Sequence, residues 1–242
     1  MLVFLKKSFY VYSKNLAGFI WATLVYCLLY LISIFGGIGL FLIYFMIASA
    51  LNFSIFENIA VTGVFGLISL IFTYYFANAF YGGLLIAYRR ASTTNQKPSL
   101  ALIYEQSIRC APKMFLLALL RDFLWVVPMI ILLAIRFLLF PTVGLMSYVA
   151  TIGTLFMFFL THLIFKPIMI YSSAYDFSIS DSFRKGLRLI KNKPLDYLGI
   201  YALYSVAYLI KQIPILNVLV LFVINPILLS GMVFLSDKSN SG

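Results

Sequence analysis

Charged residues are scarce in this chain, and acidic residues are the scarcest of them. Only 10% of the 242 residues are charged, and Asp and Glu together number 7. Soluble globular domains carry about 25% charged residues. Since 63% of the residues are hydrophobic and the mean hydropathy is +1.03, the composition excludes an ordinary soluble domain.

The residues that usually support catalysis are also few. The chain has 1 histidine and 2 cysteines, and it contains no HExxH, CxxC, phosphate-binding glycine loop or GxSxG motif. Cys27 lies in an apolar run and Cys110 in a cationic segment, so we expect no disulfide framework. Nucleic-acid binding would need a separate basic module. We therefore expect no enzymatic activity, no cofactor, no metal and no nucleic-acid partner.

Long uncharged runs are what the chain has instead. A membrane-spanning helix needs about 20 mainly apolar residues. The runs 15–56, 58–88, 137–165 and 212–236 satisfy this length, and two further stretches do so if a few charges are tolerated. We predict an all-α polytopic membrane protein, residues 1–242 forming one membrane domain, with six spans near 16–35, 60–87, 114–135, 142–170, 195–212 and 215–235.

The basic residues indicate how these spans are oriented. Lys and Arg in short loops favour the cytoplasmic side of a membrane. With six spans, one side holds 14 of the 18 basic residues: Lys6, Lys7, Lys14, Arg89, Arg90, Lys97, Arg109, Lys113, Arg184, Lys185, Arg188, Lys191, Lys193 and Lys238. A seventh span at 36–56 would divide this set. We therefore predict a prokaryotic plasma-membrane protein with both termini cytoplasmic, and a re-entrant or interfacial insertion at 36–58 on the outer side.

A pattern recurs three times along the chain. The segments "FLKKSFYVYSKNLAGFIW" from Phe4, "LIYEQSIRCAPKMFLLAL" from Leu102 and "SFRKGLRLIKNKPLDYLG" from Ser182 each read as a short polar helix, a break and a span. Each of these spans is followed by a second one that returns to the same side. The pattern predicts a threefold internal repeat with units at about 1–90, 98–173 and 176–236.

Two of the short helices are predicted to be amphipathic and to lie in the membrane interface. The third copy begins with Ser178 and Asp181 at capping-box spacing. Its apolar face is Ile179, Phe183, Leu187 and Ile190, and that of the first copy is Leu2, Leu5, Phe9 and Tyr12. One interpretation of the cations is a surface that binds anionic headgroups or an acidic partner, and the other is that they only fix the orientation of the helices in the membrane. These cations are Lys6, Lys7, Lys14, Arg89, Arg90, Arg184, Lys185, Arg188, Lys191 and Lys193.

Four ionisable residues lie within the predicted spans. Arg121 and Asp122 are adjacent, so their side chains leave the helix about 100° apart, whereas His162 and Lys166 share a helix face. Such residues are costly in hydrocarbon and mark functional sites. One interpretation is a polar cluster around an ion, proton or headgroup pathway. The other, which we favour at this stage, is a structural pair of Asp122 with Lys166 or Arg121 that fixes helix register.

The segment "AYDFSISDSFRKGLRLIKNKPLDYLGIYAL" resembles a pattern found in six-pass prokaryotic membrane proteins. These include the YciC-like proteins and the membrane domain that accompanies glycerophosphoryl diester phosphodiesterases, in which a small acidic turn precedes a helix of the "SFRKGLRLIKNK" type. The resemblance implies a prokaryotic membrane protein without a defined activity. No phosphodiesterase domain is found in these 242 residues, so that activity is not implied.

Three functions are compatible with these features. The leading hypothesis is a non-enzymatic scaffold or accessory subunit that supports a membrane complex or organises lipid, with membrane lipids and other membrane subunits as partners. The alternative is a small-solute transporter component with a site inside the six-helix bundle. A third is a lipid-modifying enzyme that uses Asp122 and His162.

Overall fold

The chain folds into a bundle of helices. The computed structural model describes residues 2–51, 59–94, 98–139 and 145–240, and these ranges contain helices and no strand. The helices are α1 (Leu2–Lys14), α2 (Leu16–Ala50), α3 (Ile59–Thr94), α4 (Leu100–Leu139), α5 (Leu145–Ala174), α6 (Ile179–Asn192), α7 (Pro194–Ile210), α8 (Pro214–Leu219) and α9 (Asn225–Asn240), with a π-helical turn at Val220–Ile224.

Five helical segments are long and apolar enough to cross a membrane. They are Leu16–Ala50, Ile59–Thr94, Leu100–Ile135, Thr151–Ala174 and Leu216–Asp237. The sixth predicted span, α7, is apolar but has only 17 residues, or about 25 Å of helix. The chain is thus an all-α, multi-pass membrane protein, as predicted, although the count of six spans is not exact.

The predicted insertion at 36–58 is wrong over its first part. Helix α2 continues through residues 36–50, while 52–58 lie outside the described residues. The reason is that α3 offers this segment a packing partner. A Cβ on Gly37 would lie 3.0 Å from the Ser69 carbonyl oxygen, and the Tyr44 ring stacks on Phe65 with centroids 4.4 Å apart. Bare backbone at Gly37 lets the two helices approach and continue together.

The helix breaks agree with the predicted pattern in two places and differ in the third. Asn15 separates α1 from α2, and Lys193 separates α6 from α7. Helix α4 instead runs for 40 residues without a break, through Pro112 and Pro128. Its predicted interfacial and membrane-spanning parts therefore belong to one continuous helix. The threefold repeat itself stays a prediction.

The short helices α1 and α6 pack on other helices through small residues. Ser182, Gly186 and Leu189 form the buried face of α6, and a Cβ on Gly186 would lie only 3.1 Å from the Ile168 nitrogen of α5. Leu187, which belongs to the apolar face predicted to lie in the membrane interface, is exposed on the surface of the bundle. The Ser178 cap is present, since its Oγ accepts from the Asp181 N–H at 3.1 Å.

Helix α1 also packs on another helix through a small residue. Ser8 and Tyr12 are its buried residues, while Leu2 and Phe9 are exposed. Ser8 is small enough to lie against Gly231 of α9, where a Cβ would come within 3.2 Å of the Ser8 Oγ. Serine and glycine carry no hydrophobic signal, so this helix contact was not predicted from the sequence, and the placement of the apolar face in the membrane interface stays a prediction.

Several chain segments meet at one end of the bundle, which we call the cationic end. Asn15 Nδ2 donates to the Ala91 carbonyl at 3.0 Å, Arg89 Nη1 donates to the Ala174 carbonyl at 2.5 Å, and the Lys193 ammonium lies 5.8 Å from the centroid of the Phe4 ring. These contacts join the break before α2, the end of α3, the end of α5 and the break before α7.

Tyrosine hydroxyls satisfy backbone carbonyls that prolines leave free. A proline within a helix removes the N–H that would bond the carbonyl four residues earlier. For Pro167 that carbonyl belongs to Leu163, and the Tyr197 hydroxyl of α7 donates to it at 2.6 Å. In lipid such a carbonyl finds no water, so a neighbouring helix must supply the donor.

The same arrangement occurs a second time. Pro226 frees the carbonyl of Phe222, and the Tyr12 hydroxyl of α1 donates to it at 2.7 Å. The carbonyls freed by two prolines therefore bind α7 to α5 and α1 to the last membrane segment.

The bond from Tyr197 to the carbonyl freed by Pro167 predicts that substitutions at these two positions have non-additive effects on stability. Tyr197→Phe should lower the free energy of unfolding by about 1–3 kcal/mol, because it leaves a buried carbonyl without a donor. Adding Pro167→Ala should remove most of that loss, since alanine has the backbone N–H that proline lacks. Thermal unfolding of both single variants and the double variant in one detergent measures the coupling. An equal loss in the two backgrounds would contradict the assignment.

The placement of charges predicts a labelling pattern. Lys7 and Lys191 lie on the helices at the cationic end, whereas Lys211 follows α7 at its far end. A membrane-impermeant amine reagent applied to sealed vesicles should therefore label Lys7 and Lys191 from one side and Lys211 from the other. Mass spectrometry of labelled peptides from right-side-out and inverted vesicles makes the comparison. Lys7 and Lys191 on different sides would refute the topology.

Candidate functional site

The predicted intramembrane residues fall into two groups, and the first is the pair Arg121–Asp122 of α4. Arg121 Nε donates to Asp122 Oδ1 at 2.7 Å, and Nη2 donates to Oδ2 at 3.0 Å. We expected adjacent residues to diverge, but the long arginine side chain turns back far enough to close a bidentate pair. The Tyr74 hydroxyl and Trp125 Nε1 also donate to the carboxylate. Of the two structural pairs considered, the one with Arg121 is present.

Lys166 of α5 belongs to the second group. The residue is 8% exposed, and its Nζ donates to the Tyr204 hydroxyl at 2.9 Å. The ammonium also lies 4.7 Å from the ring centroid of Tyr81 and 4.3 Å from that of Tyr204. Across the described residues, no carboxylate lies within ion-pair distance of it. The ammonium is thus buried against aromatic rings and one hydroxyl without a counter-charge.

His162 lies one helical turn before Lys166. Its Nδ1 lies 2.8 Å from the Phe158 carbonyl, and its ring lies 4.0 Å from the Phe158 ring. His162 and Lys166 line the same cavity, as their shared helix face predicted, and Arg121 reaches it from α4. Asp122 instead lines a separate groove. The two residues suggested for an enzyme therefore face different spaces.

The cavity has a volume of ≈ 230 Å³ and lies between α2, α3, α4, α5 and α7. Its walls are rich in tyrosine, with the side chains of Tyr26, Tyr30, Tyr81, Tyr201, Tyr204 and Tyr208. Sequence reasoning missed these residues. Three of them recur at intervals of three and four along α7, together with Tyr197, and that spacing of a polar aromatic was the available signal.

Two tyrosine hydroxyls of the bundle show why the cavity keeps its shape. The Tyr201 hydroxyl donates to the Phe159 carbonyl at 2.7 Å, one turn from the bond between Tyr197 and Leu163. Two bonds to successive turns of α5 fix both the rotation and the height of α7. The next turn of α7 then places Tyr204 against Lys166.

The ten cations predicted to form a lipid or partner surface lie on the helices and breaks near the cationic end, and they differ in exposure. Most are exposed: Lys6, Lys7, Lys14, Arg90, Arg184, Arg188 and Lys191. Arg89, Lys185 and Lys193 are half-buried. Each of these three lies over an aromatic ring, that of Tyr175, Phe177 or Phe4 respectively. Among the exposed cations, Lys7 and Lys14 also lie over rings, those of Phe234 and Tyr10, so aromatic contacts occur in both groups.

Asp176 forms the corner between α5 and α6. Its φ of 54° is the one left-handed backbone among the described non-glycine residues. Glycine would suit this conformation, but the Asp176 carboxylate binds Lys113 at 2.7 Å and Arg109 at 3.4 Å. The hydrogen bond from Lys113 holds the pKa of Asp176 below its usual value, and the charges of Lys113 and Arg109 act in the same direction. These ion pairs join the corner to α4.

No group of three His, Cys, Asp or Glu side chains that could hold a metal ion occurs in the described part of the chain. Comparisons with protein-family models, with curated proteins and with solved structures found no match.

The two acidic sites predict different responses to the same substitution. Asp122→Asn would leave the Arg121 charge buried and unpaired, which typically costs about 3–5 kcal/mol. Asp176→Asn keeps a residue that tolerates a left-handed backbone and removes only exposed ion pairs, worth about 1 kcal/mol or less. Thermal unfolding in detergent should therefore show a large loss for the first variant and a small one for the second. Equal losses would mean that the Arg121–Asp122 pair is not structural.

Proposed function

We propose that this protein is a non-enzymatic membrane component that binds a small anionic solute or headgroup in the tyrosine-lined cavity. The single observation that carries the proposal is the buried Lys166 ammonium, which has no carboxylate partner among the described residues. Of the functions expected from the sequence, the transporter component with a site in the bundle corresponds most closely to it.

The energetics of Lys166 support an anionic ligand. A buried charge costs several kcal/mol unless it is paired, coordinated or wet. Cation–π contacts return about 2 kcal/mol each when desolvated, and the Tyr204 hydroxyl adds one hydrogen bond. An anion in the cavity would supply the missing counter-charge. A pocket that never holds an anion would be more stable with an uncharged side chain at this position.

The surroundings of Lys166 also suit an anion. Arg121 also lines the cavity, but its charge is paired with that of Asp122, so Lys166 supplies the unpaired positive charge. The Tyr81 hydroxyl is buried and has no hydrogen-bond partner in the described part of the chain. One ammonium and one free hydroxyl facing a cavity of ≈ 230 Å³ suit a carboxylate or phosphate group.

A scaffold or accessory role is the second candidate, and the lengths of α2 and α3 favour it. These helices have 35 and 36 residues, or about 50 Å each, against a hydrocarbon core of about 30 Å. Their apolar side chains remain exposed near the far ends, including Met46 and Ile59. Such surfaces suit contact with another membrane subunit. The exposed cations would then contact anionic headgroups at a prokaryotic plasma membrane with both termini cytoplasmic.

The anion proposal is tested by ligand-dependent thermal stability in neutral-lipid nanodiscs. Sodium propionate, phosphate and decanoate are compared with sodium chloride at matched ionic strength. At least one should stabilise the protein, by about 1.4 kcal/mol at ten times its Kd. Lys166→Met should abolish that stabilisation by removing the counter-charge.

The matched control is Lys191→Met, which deletes an exposed lysine outside the cavity. It should leave the stabilisation unchanged. The proposal fails if none of the three anions stabilises the protein, or if the effect survives Lys166→Met.

A further inference from the structure

The tyrosine-lined cavity adjoins a second space that is larger and more apolar. An apolar groove of ≈ 800 Å³ runs between α3 and α4, with Leu70, Leu116, Leu120 and Phe123 among its walls. These four side chains are exposed on the surface of the bundle. The groove is therefore open to the hydrocarbon of a bilayer, whereas the cavity is enclosed by five helices that contribute polar and charged side chains as well as aromatic rings.

The two spaces share part of their walls. Tyr30 of α2 and Ala77 of α3 line both the cavity and the groove. The Arg121–Asp122 pair stands at the same boundary, with Arg121 lining the cavity and Asp122 lining the groove. Ala77 has the smallest side chain at this boundary, so an alkyl chain that joined the two spaces would pass beside it.

We infer that the ligand is a single-chain anionic amphiphile. Its charged head would occupy the cavity beside Lys166, and its alkyl chain would pass Ala77 and lie in the groove between α3 and α4. This inference rests on the proposed function, because the cavity must first bind an anion. It adds the source of that anion, which is the lipid phase and not the aqueous phase.

Charge complementarity determines the sign of the head. Asp122 is already neutralised by Arg121, so the net charge left at the junction is that of Lys166. A cationic amphiphile would meet this uncompensated ammonium and be repelled. A lipid without a charged head could fill the groove, but it would supply no counter-charge to the Lys166 ammonium and no hydrogen bond to the Tyr81 hydroxyl.

Substitutions in the groove test the binding of the ligand's alkyl chain separately from the binding of its charged head. Leu120→Trp places a bulkier side chain in the groove, and Leu124→Trp is its matched control, because Leu124 is also exposed, lies one turn further along α4 and is not part of the groove. Leu120→Trp should weaken decanoate binding about tenfold, at equal decanoate content in the nanodisc, and should leave propionate and phosphate binding unchanged. Leu124→Trp should affect none of them.

The position of the chain is tested directly by photo-crosslinking. A fatty acid with a diazirine at the end of its chain should label α3 and α4 peptides around Leu70, Leu116 and Phe123 in a saturable manner. An excess of decanoate should compete for this labelling, and Lys166→Met should remove its saturable part. Labelling spread evenly over the exposed helices would indicate ordinary bilayer lipid in the groove and would overturn the inference.

The outcomes distinguish this inference from the proposed function. If propionate or phosphate stabilises the protein as well as decanoate does and Leu120→Trp changes nothing, the site binds an aqueous anion and the amphiphile is refuted. If no anion acts through Lys166, both proposals fall.

Discussion

A hydrocarbon environment supplies no hydrogen bonds, and this constraint shapes the bundle. Every polar group that enters the membrane must find a partner within the protein. The carbonyls freed by Pro167 and Pro226 obtain tyrosine hydroxyls from other helices, and the Asp122 carboxylate obtains Arg121, Tyr74 and Trp125. Because the donors come largely from different helices, satisfying these groups also determines how the helices pack.

At the proposed site this constraint is not fully met. Lys166 has one hydroxyl and two ring faces, and the Tyr81 hydroxyl beside it has no partner in the described chain. The surrounding helices are held by the same tyrosine bonds that hold the rest of the bundle. The cavity is therefore prearranged, so that a ligand would complete an existing polar network with little rearrangement.

The general architecture could be predicted from the sequence because it depends on the length of apolar runs and on charge, both visible residue by residue. The contacts of α1 and α6 with other helices and the continuity of α2 could not, because they depend on Ser8, Gly186 and Gly37. Such small residues carry no hydrophobic signal, and their effect is to let another helix approach. Helical spacing correctly placed His162 and Lys166 on one face, where they line the same cavity. The hydrogen bonds between Arg121 and Asp122 could not be predicted in this way, because they depend on how the flexible arginine side chain bends.

The unequal lengths of the helices have a consequence for the lipid around the protein. Helix α7 has only 17 residues, while α2 and α3 have 35 and 36. Bilayers adjust to such hydrophobic mismatch by thinning, thickening or tilting the helices. The protein would therefore sit in a wedge-shaped patch of membrane, thin beside α7 and thick beside α2 and α3. Hydrophobic mismatch also sorts proteins among membranes of different thickness, so the thickness of the bilayer would influence where the protein resides.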